Sequence, residues 1–293
     1  MTDISGLANW DTSKMTGTFE MFRNCESLTS LKALENWDVS NVTNMSHAFQ
    51  NCKKLENLDG LQNWNVSSTT NMSTMFSGCT TLNDISALKG WKDKVSNVKD
   101  ISGMFSRCES LKNLDGLQDW DTSSVITTVQ TFEKCSNLQD INAIRNWNMS
   151  KNKDMRQMFS ESKNIESIEA LRSWNTSELT NMNKTFWQLS KITDLTPLTN
   201  WNVSKVIDFT STFDAFKSIT SLKGLENWDT SSAKKMDSMF YGADKITDAS
   251  AIDNWNLTNV TSFKNMFRNV SVKPNFTNPS GTFDSNGTFI PNI

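Results

Sequence analysis

The sequence predicts an α/β repeat solenoid: about ten 27-residue coils with short parallel β ladders, short helical or 3-10 turns, and a C-terminal capping tail. Three observations predict it. Trp recurs at positions 10, 37, 64, 91, 120, 147, 174, 201, 228 and 255, with every gap 27 residues except one of 29. The residue twelve after each Trp, allowing for the longer gap, is Phe in all ten copies, from Phe22 to Phe267. Between these anchors the apolar residues keep a beat of about three, as in NWDVSNVTNMSHAFQNC at 36–52. Helices need a period near 3.6 and strands a period of 2, so neither explains the pattern.

A repeat of 20 to 50 residues marks a solenoid, propeller or array. One such unit cannot bury its own apolar edge, whereas stacked units place each residue above its counterpart one coil away. The unit reads W-[DN]-x-S-x-V-x-x-M-x-x-M-F-x-x-C-x-x-L-x-x-L-x-[AG]-L-x-x, and columns are numbered here from the Trp. The Ser at +3 is expected to satisfy a turn or cap the segment after it, with the Asn or Asp beside the Trp doing similar work. V-x-x-M and L-x-x-L are expected to be short extended segments that pair in parallel with the next coil. M-F-x-x-C and L-x-x-W are expected to be single helical or 3-10 turns. With coils about 4.8 Å apart, ten of them make a rod or arc on the order of 50 Å long. The two residues inserted after Trp91 in GWKDKVSNV should bulge outward and leave the columns aligned.

Residues 1–270 form the expected single solenoid and 271–293 the expected capping tail, which holds three of the four prolines. In the tail, Asn286-Gly287 stands between two Thr-Phe segments, a pattern for a tight β-hairpin. Phe276, Phe283, Phe289 and Ile290 would then cover the last coil. The N-terminal face has no such cover, which marks it as an edge that pairs with another molecule or continues into an upstream segment.

Composition narrows the function classes. Net charge is −3 with a pI near 5.4, so no basic excess points to nucleic acid or an anionic membrane. No run of 18 apolar residues is present for a membrane span. The start, MTDISGLANW, lacks a basic stretch followed by an apolar one, so the chain as given shows no secretory signal, and a cytoplasmic location stays open on that ground.

Few residues suggest chemistry. Cys25, Cys52, Cys79, Cys108 and Cys135 share one column, where later coils carry Ser162, Leu189, Phe216, Ala243 and Val270. Leu and Phe do not replace a metal ligand or redox thiol, so these cysteines are expected to be reduced core residues. Stacked side chains point in parallel, which disfavours disulfides, and no C-x-x-C marks a zinc site. The single His, His47, occupies a variable surface column. No nucleophile elbow, P-loop or H-E-x-x-H is present. No catalytic residue, cofactor or metal is expected. One column breaks its own rule. Position +13 is polar in the first six coils, then carries Trp187, Asp214 and Tyr241, the last being the only Tyr of the chain. Trp and Tyr are favoured binding anchors, so these three form the candidate partner-binding site. The alternative is that Trp187 merely folds over the ridge.

Trp37, Asp38 and Ser40, the V-T-N-M of Val42 to Met45, and the F-x-x-C-x-x-L-x-x-L of Phe49 to Leu58 resemble the BspA-like leucine-rich-repeat surface proteins, in their mycoplasma- and lactobacillus-type branch. The resemblance spans roughly residues 3 to 270. It implies a leucine-rich-repeat-like fold and a non-enzymatic binding or adhesion scaffold that meets a protein or glycan partner at a bacterial cell surface or after secretion. A structural or self-assembling role is the alternative. The segment LDGLQNW is slightly expanded against the family's usual LDLSNW.

Overall fold

At the corners of each coil an Asn or Asp side chain accepts the N–H of the residue two positions on. Asp38 Oδ1 accepts Ser40 N–H at 2.9 Å, Asn44 Oδ1 accepts Ser46 N–H at 2.9 Å, and Asn57 Oδ1 accepts Asp59 N–H at 3.1 Å. These Asx turns recur along the chain at the same three columns and bend the backbone without help from distant residues. The expected roles are therefore partly exchanged: the carboxylate or carboxamide is the acceptor, and the +3 Ser contributes its backbone N–H.

The computed structural model describes residues 2–292, and their chain winds as an unbroken stack of coils in register. Parallel pairing falls where V-x-x-M and L-x-x-L predict it, but as single bridges rather than strands. One column of bridges links Gly17, Asn44, Asn71, Asp100 and their successors to Ser262; a second includes Asn57 with Asp84 and Ser221 with Asp248. At most bridge residues, such as Asn44, Asn71 and Asp100, an Asx turn begins and ends the extended stretch there. Short 3-10 helices precede the Trp, at Ser5–Leu7, Lys32–Leu34, Asn142–Ile144, Glu169–Leu171, Thr196–Leu198 and Ser250–Ile252. The coils with Gly60, Gly116 and Gly224 lack this helix and make a turn with φ of +110°, +130° and +106°. There the side chains of Gln62, Gln118 and Glu226 accept the glycine N–H. This is the structural content of the expanded LDGLQNW segment.

The M-F-x-x-C segment is not a helical turn. Every second N–H points along the solenoid axis: Met45, His47, Phe49 and Asn51 donate to the carbonyls of Asn71, Ser73, Met75 and Ser77 at 2.7–3.0 Å. The intervening N–H groups close turns within the coil, from Ala48 to Met45, Gln50 to His47 and Cys52 to Phe49, at 3.1–3.3 Å. This alternation requires a left-handed residue twice per coil. The column of Glu20, His47 and Thr74 has positive φ in all ten coils, and so does the column of Asn24, Asn51 and Gly78. Most are not glycine, and each such residue costs about 1–2 kcal/mol, so the ladder they permit must offset a recurrent strain.

The interior is one contiguous cluster from Ile4 to Phe289. The ten Phe rings are buried and stack coil on coil with centroids 5.0–6.1 Å apart. Such pairs contribute about 0.5–1.5 kcal/mol beyond their burial. Trp37 and its successors are buried too, and each indole N–H donates to the carbonyl three residues before the preceding Trp, as from Trp64 to Leu34 at 2.9 Å and Trp91 to Leu61 at 2.8 Å. Burying nine indole N–H groups without partners would cost about 1–3 kcal/mol each.

The residues inserted after Trp91 extend the local 3-10 helix to Ser86–Lys94, with Lys92 and Asp93 exposed. Register survives, since Asn71 still bridges Asp100 and Trp91 stacks on Trp120 at 6.1 Å, tilted by 21°. In the tail, strands β1 (Gly281–Phe283) and β2 (Phe289–Pro291) pair antiparallel. The connection is not the tight two-residue turn expected from Asn286-Gly287. It is a five-residue loop, 284–288, in which Asp284 Oδ1 accepts the N–H groups of Asn286 and Thr288. Phe276 and Phe289 are buried and Phe283 packs on Phe267 at 5.4 Å, whereas Ile290 points outward and is 51% exposed.

Two substitutions test this packing. Phe76→Ala should cost about 3–5 kcal/mol. Gly60→Ala should cost about 2 kcal/mol or more, because its φ is positive and a Cβ would lie 2.3 Å from the Leu31 carbonyl oxygen. Chemical denaturation checks both; midpoints matching the unmodified chain would contradict the assigned core and turn.

Candidate functional site

The ladder that stacks the coils also lines up column +13. Gln188 N–H donates to the Asp214 carbonyl at 2.9 Å and Ala215 N–H to the Tyr241 carbonyl at 2.8 Å. Trp187, Asp214 and Tyr241 therefore stand on successive coils of one ridge, all half-buried. Each aromatic carries a cation that sequence reading did not single out. Lys184 Nζ lies 4.8 Å from the Trp187 ring centroid, and Arg268 lies 6.0 Å from that of Tyr241. A Lys three residues before a Trp, across one turn, was the available signal for the first. The second pair joins neighbouring coils and shows only once the columns are stacked. The result is an alternating stripe: cation on indole, carboxylate, phenol, cation.

Asp214 is the perturbed group of this stripe. Burial pushes its carboxyl up to about 6, against the opposing pull of Ser211, Lys184, Lys217 and the Trp187 side chain. Further back along the column the chain is buried and polar. Ser106 Oγ donates to Glu133 Oε2 at 2.9 Å, and the Ser160 hydroxyl, one coil before Trp187, is fully buried with no hydrogen-bond partner.

The other candidates resolve as structure. Cys52, Cys79, Cys108 and Cys135 are buried and Cys25 half-buried, all as free thiols. The Sγ–H groups of the four buried cysteines point to Phe carbonyls one coil back, as Cys52 does to Phe22 at 3.3 Å, and the Ser162 hydroxyl takes the same place at 2.6 Å from the Phe132 carbonyl. Burial pushes the Cys52 and Cys135 thiols up to about 12, far from a reactive thiolate. His47 Nδ1 lies 2.7 Å from Thr74 Oγ1 and 3.0 Å from Gln50 Oε1, with its ring against Phe19. Among the described residues no cluster of three or more His, Cys, Asp or Glu is placed to hold a metal, and no helix is long and apolar enough to cross a membrane.

The family described as "Mycoplasma protein of unknown function, DUF285" matches three overlapping stretches, residues 1–114, 86–194 and 163–283. No curated protein matches the chain. Among solved structures it is similar to a leucine-rich repeat protein from Bacteroides ovatus, at 13% identity over 80% of this chain and 76% of that one, with a TM-score of 0.29. It is also similar to a leucine rich cell surface protein from Faecalibacterium prausnitzii, at 13% identity over 75% and 70% with a TM-score of 0.31. An internalin from Listeria monocytogenes is similar at 14% identity over 83% and 76%, with a TM-score of 0.20.

The raised Asp214 carboxyl gives a pH test. A carboxyl that titrates at about 6 when folded and at about 3.9 when unfolded binds protons more readily in the folded state. Its ionised form therefore lowers stability, by an amount that is absent below about pH 4, grows up to about pH 6 and is constant above. Asp214→Asn should raise the melting temperature at alkaline pH and lose that gain in acid. A gain equal at both ends, or a loss at alkaline pH, would contradict the assigned environment.

Proposed function

The chain belongs to the DUF285 family, and from that premise we propose that it is a non-enzymatic binding scaffold which presents the ridge of Trp187, Asp214 and Tyr241 to a protein or glycan partner at a bacterial surface. The observation that carries this reading is the ridge itself. Apart from Trp10 and Phe19 in the first coil, the repeats commit their aromatics to the stacked core, yet here two departures at column +13 set an indole and a phenol half-buried on one ridge, each paired with a cation. Half-buried aromatics lose little side-chain freedom on binding and expose a flat apolar face with polar edges. A sugar ring stacks on such a face while its hydroxyls meet the neighbouring carboxylate and ammonium; a protein side chain can use the same groups. A rigid solenoid supports such a site readily, since surface columns vary without disturbing the core.

The surface location rests on the family resemblance read from the repeats. The proposed site is tested by screening the labelled protein on a glycan array and a panel of purified extracellular-matrix proteins, beside the double variant Trp187→Ala, Tyr241→Ala. The expected result is a ligand bound by the unmodified protein and bound at least about tenfold more weakly by the variant, which matches the loss of one hot-spot anchor, at an unchanged melting temperature. A ligand held equally by both proteins would place the site elsewhere. Binding to no probe on either panel would count against the scaffold reading.

A further inference from the structure

A second column, away from the Trp187 ridge, also departs from its own rule. Column +6, allowing for the insertion after Trp91, is Thr16, Thr43, Thr70, Thr180 and Thr261 in half of the coils. Along coils four to nine it reads Lys99, Ile126, Lys153, Thr180, Ile207 and Lys234. Both isoleucines are open to solvent, Ile126 at 44% and Ile207 at 49%. One exposed Ile is ordinary on a protein surface. These two, however, are the only large apolar side chains exposed in coils two to ten among the described residues; the others belong to the first coil or the tail. They share one column, three coils apart, with a lysine beside each.

The backbone holds these side chains in a row. Ile126 N–H donates to the Lys99 carbonyl, and Lys153, Thr180, Ile207 and Lys234 each donate to the residue one coil earlier in the same column, all at 2.9 Å. The row therefore carries one outward side chain per coil, about 4.8 Å from the next. Its lysines are free: among the described residues no carboxylate lies within salt-bridge distance of Lys99, Lys153 or Lys234. The neighbouring carboxylates are engaged elsewhere. Glu178 Oε1 accepts Lys205 Nζ at 2.6 Å, and Asp100, Asp154 and Asp208 each accept the backbone N–H two residues on, at 2.8–3.1 Å.

Charge and spacing together decide what fits the row. Three unpaired lysines call for an acidic partner, and the isoleucines between them call for apolar groups between its acids. The spacing selects the partner's backbone. An α-helix laid along the row presents one residue per turn, every 5.4 Å or about that. Over the five steps from Lys99 to Lys234 it drifts from the coils by about 3 Å, which a lysine side chain spans. An extended strand turns a residue to the same face only every 6.7 Å or about that, and drifts by about 10 Å over the same steps. A membrane surface is broad and would also meet Asp100, Asp154 and Asp208, which stand half-buried in the next column. A helix is narrow and follows the lysines. We propose that the row from Lys99 to Lys234 is a docking stripe for one face of an acidic amphipathic helix, with apolar side chains on Ile126 and Ile207 and carboxylates on Lys99, Lys153 and Lys234. This surface is separate from the Trp187 ridge and does not depend on it.

The test uses a labelled synthetic peptide of about 19 residues, helical by circular dichroism, with Glu, Leu, Glu, Gln, Leu and Glu at one residue per turn of one face. Fluorescence anisotropy follows its binding to the full chain. The peptide should bind, and added salt should weaken it because exposed charges are screened. The double variant Ile126→Thr, Ile207→Thr restores the residue this column carries elsewhere, so it keeps the fold, and should bind at least about tenfold more weakly. A scrambled peptide of the same composition should lose as much. The ridge variant Trp187→Ala, Tyr241→Ala should bind as the unmodified chain does. No binding of the peptide would overturn the proposal, as would equal binding of the scrambled peptide, an affinity indifferent to salt, or loss of binding in the ridge variant. Vesicles of phosphatidylglycerol and phosphatidylcholine are tested beside the peptide. If the chain binds them and the threonine variant does not, the stripe serves a membrane surface and the helix proposal fails.

Discussion

The structure depends on one alternation in the backbone. Along the Phe segment, odd and even N–H groups have different destinations, the turn within the coil or the carbonyl of the next coil. Without this split the segment would be an ordinary 3-10 turn with all its hydrogen bonds internal, and the coils would touch only through side chains. With it, each coil is tied to the next by three or four backbone hydrogen bonds in addition to the single bridges, although almost no residue is in a strand. The Phe, Trp and Cys columns follow from the register this imposes. Rings stack because their α-carbons are held one coil apart, and the Trp indole and Cys thiol reach carbonyls of the coil before because those carbonyls recur at fixed offsets.

The same alternation gives the solenoid a direction. A continuous β-sheet edge offers mixed donors and acceptors, whereas this segment offers acceptors at one end and donors at the other.

Much of this was legible in the sequence because packing wrote it there. The Phe column, the Trp column from Trp37 onward, the inward Leu residues and the buried cysteines are chemically constrained, and reading them as core agrees with their burial; Trp10 in the first coil is exposed. The register across the insertion at Trp91 was readable for the same reason. What stayed hidden is carried by the backbone. Glu20, Thr74, Gln130 and Lys184 share a left-handed column, and Arg107 and Lys134 share another, although no residue type there announces positive φ. The column holding His47 looks like a tolerant surface position, and its side chains are indeed varied; its backbone conformation is the same in every coil. The extended segments were read too long because an Asx turn begins at the bridge residue itself. At the ridge, the sequence placed Trp187, Asp214 and Tyr241 in one column, but Lys184 and Arg268 join them only through contacts across a turn and between coils.

Hydrogen exchange tests the alternation most directly. The N–H groups of Phe49, Phe76, Phe132 and Phe159 donate between coils, whereas those of Ser123 and Ser150 donate to Asx side chains at exposed corners. If coil-to-coil hydrogen bonds hold the solenoid together, the Phe amides should exchange only through cooperative unfolding, with rates that rise steeply with denaturant, while the Ser amides exchange faster through local opening that denaturant hardly changes. Equal protection of the two groups, or Phe amides whose exchange ignores denaturant, would contradict the account.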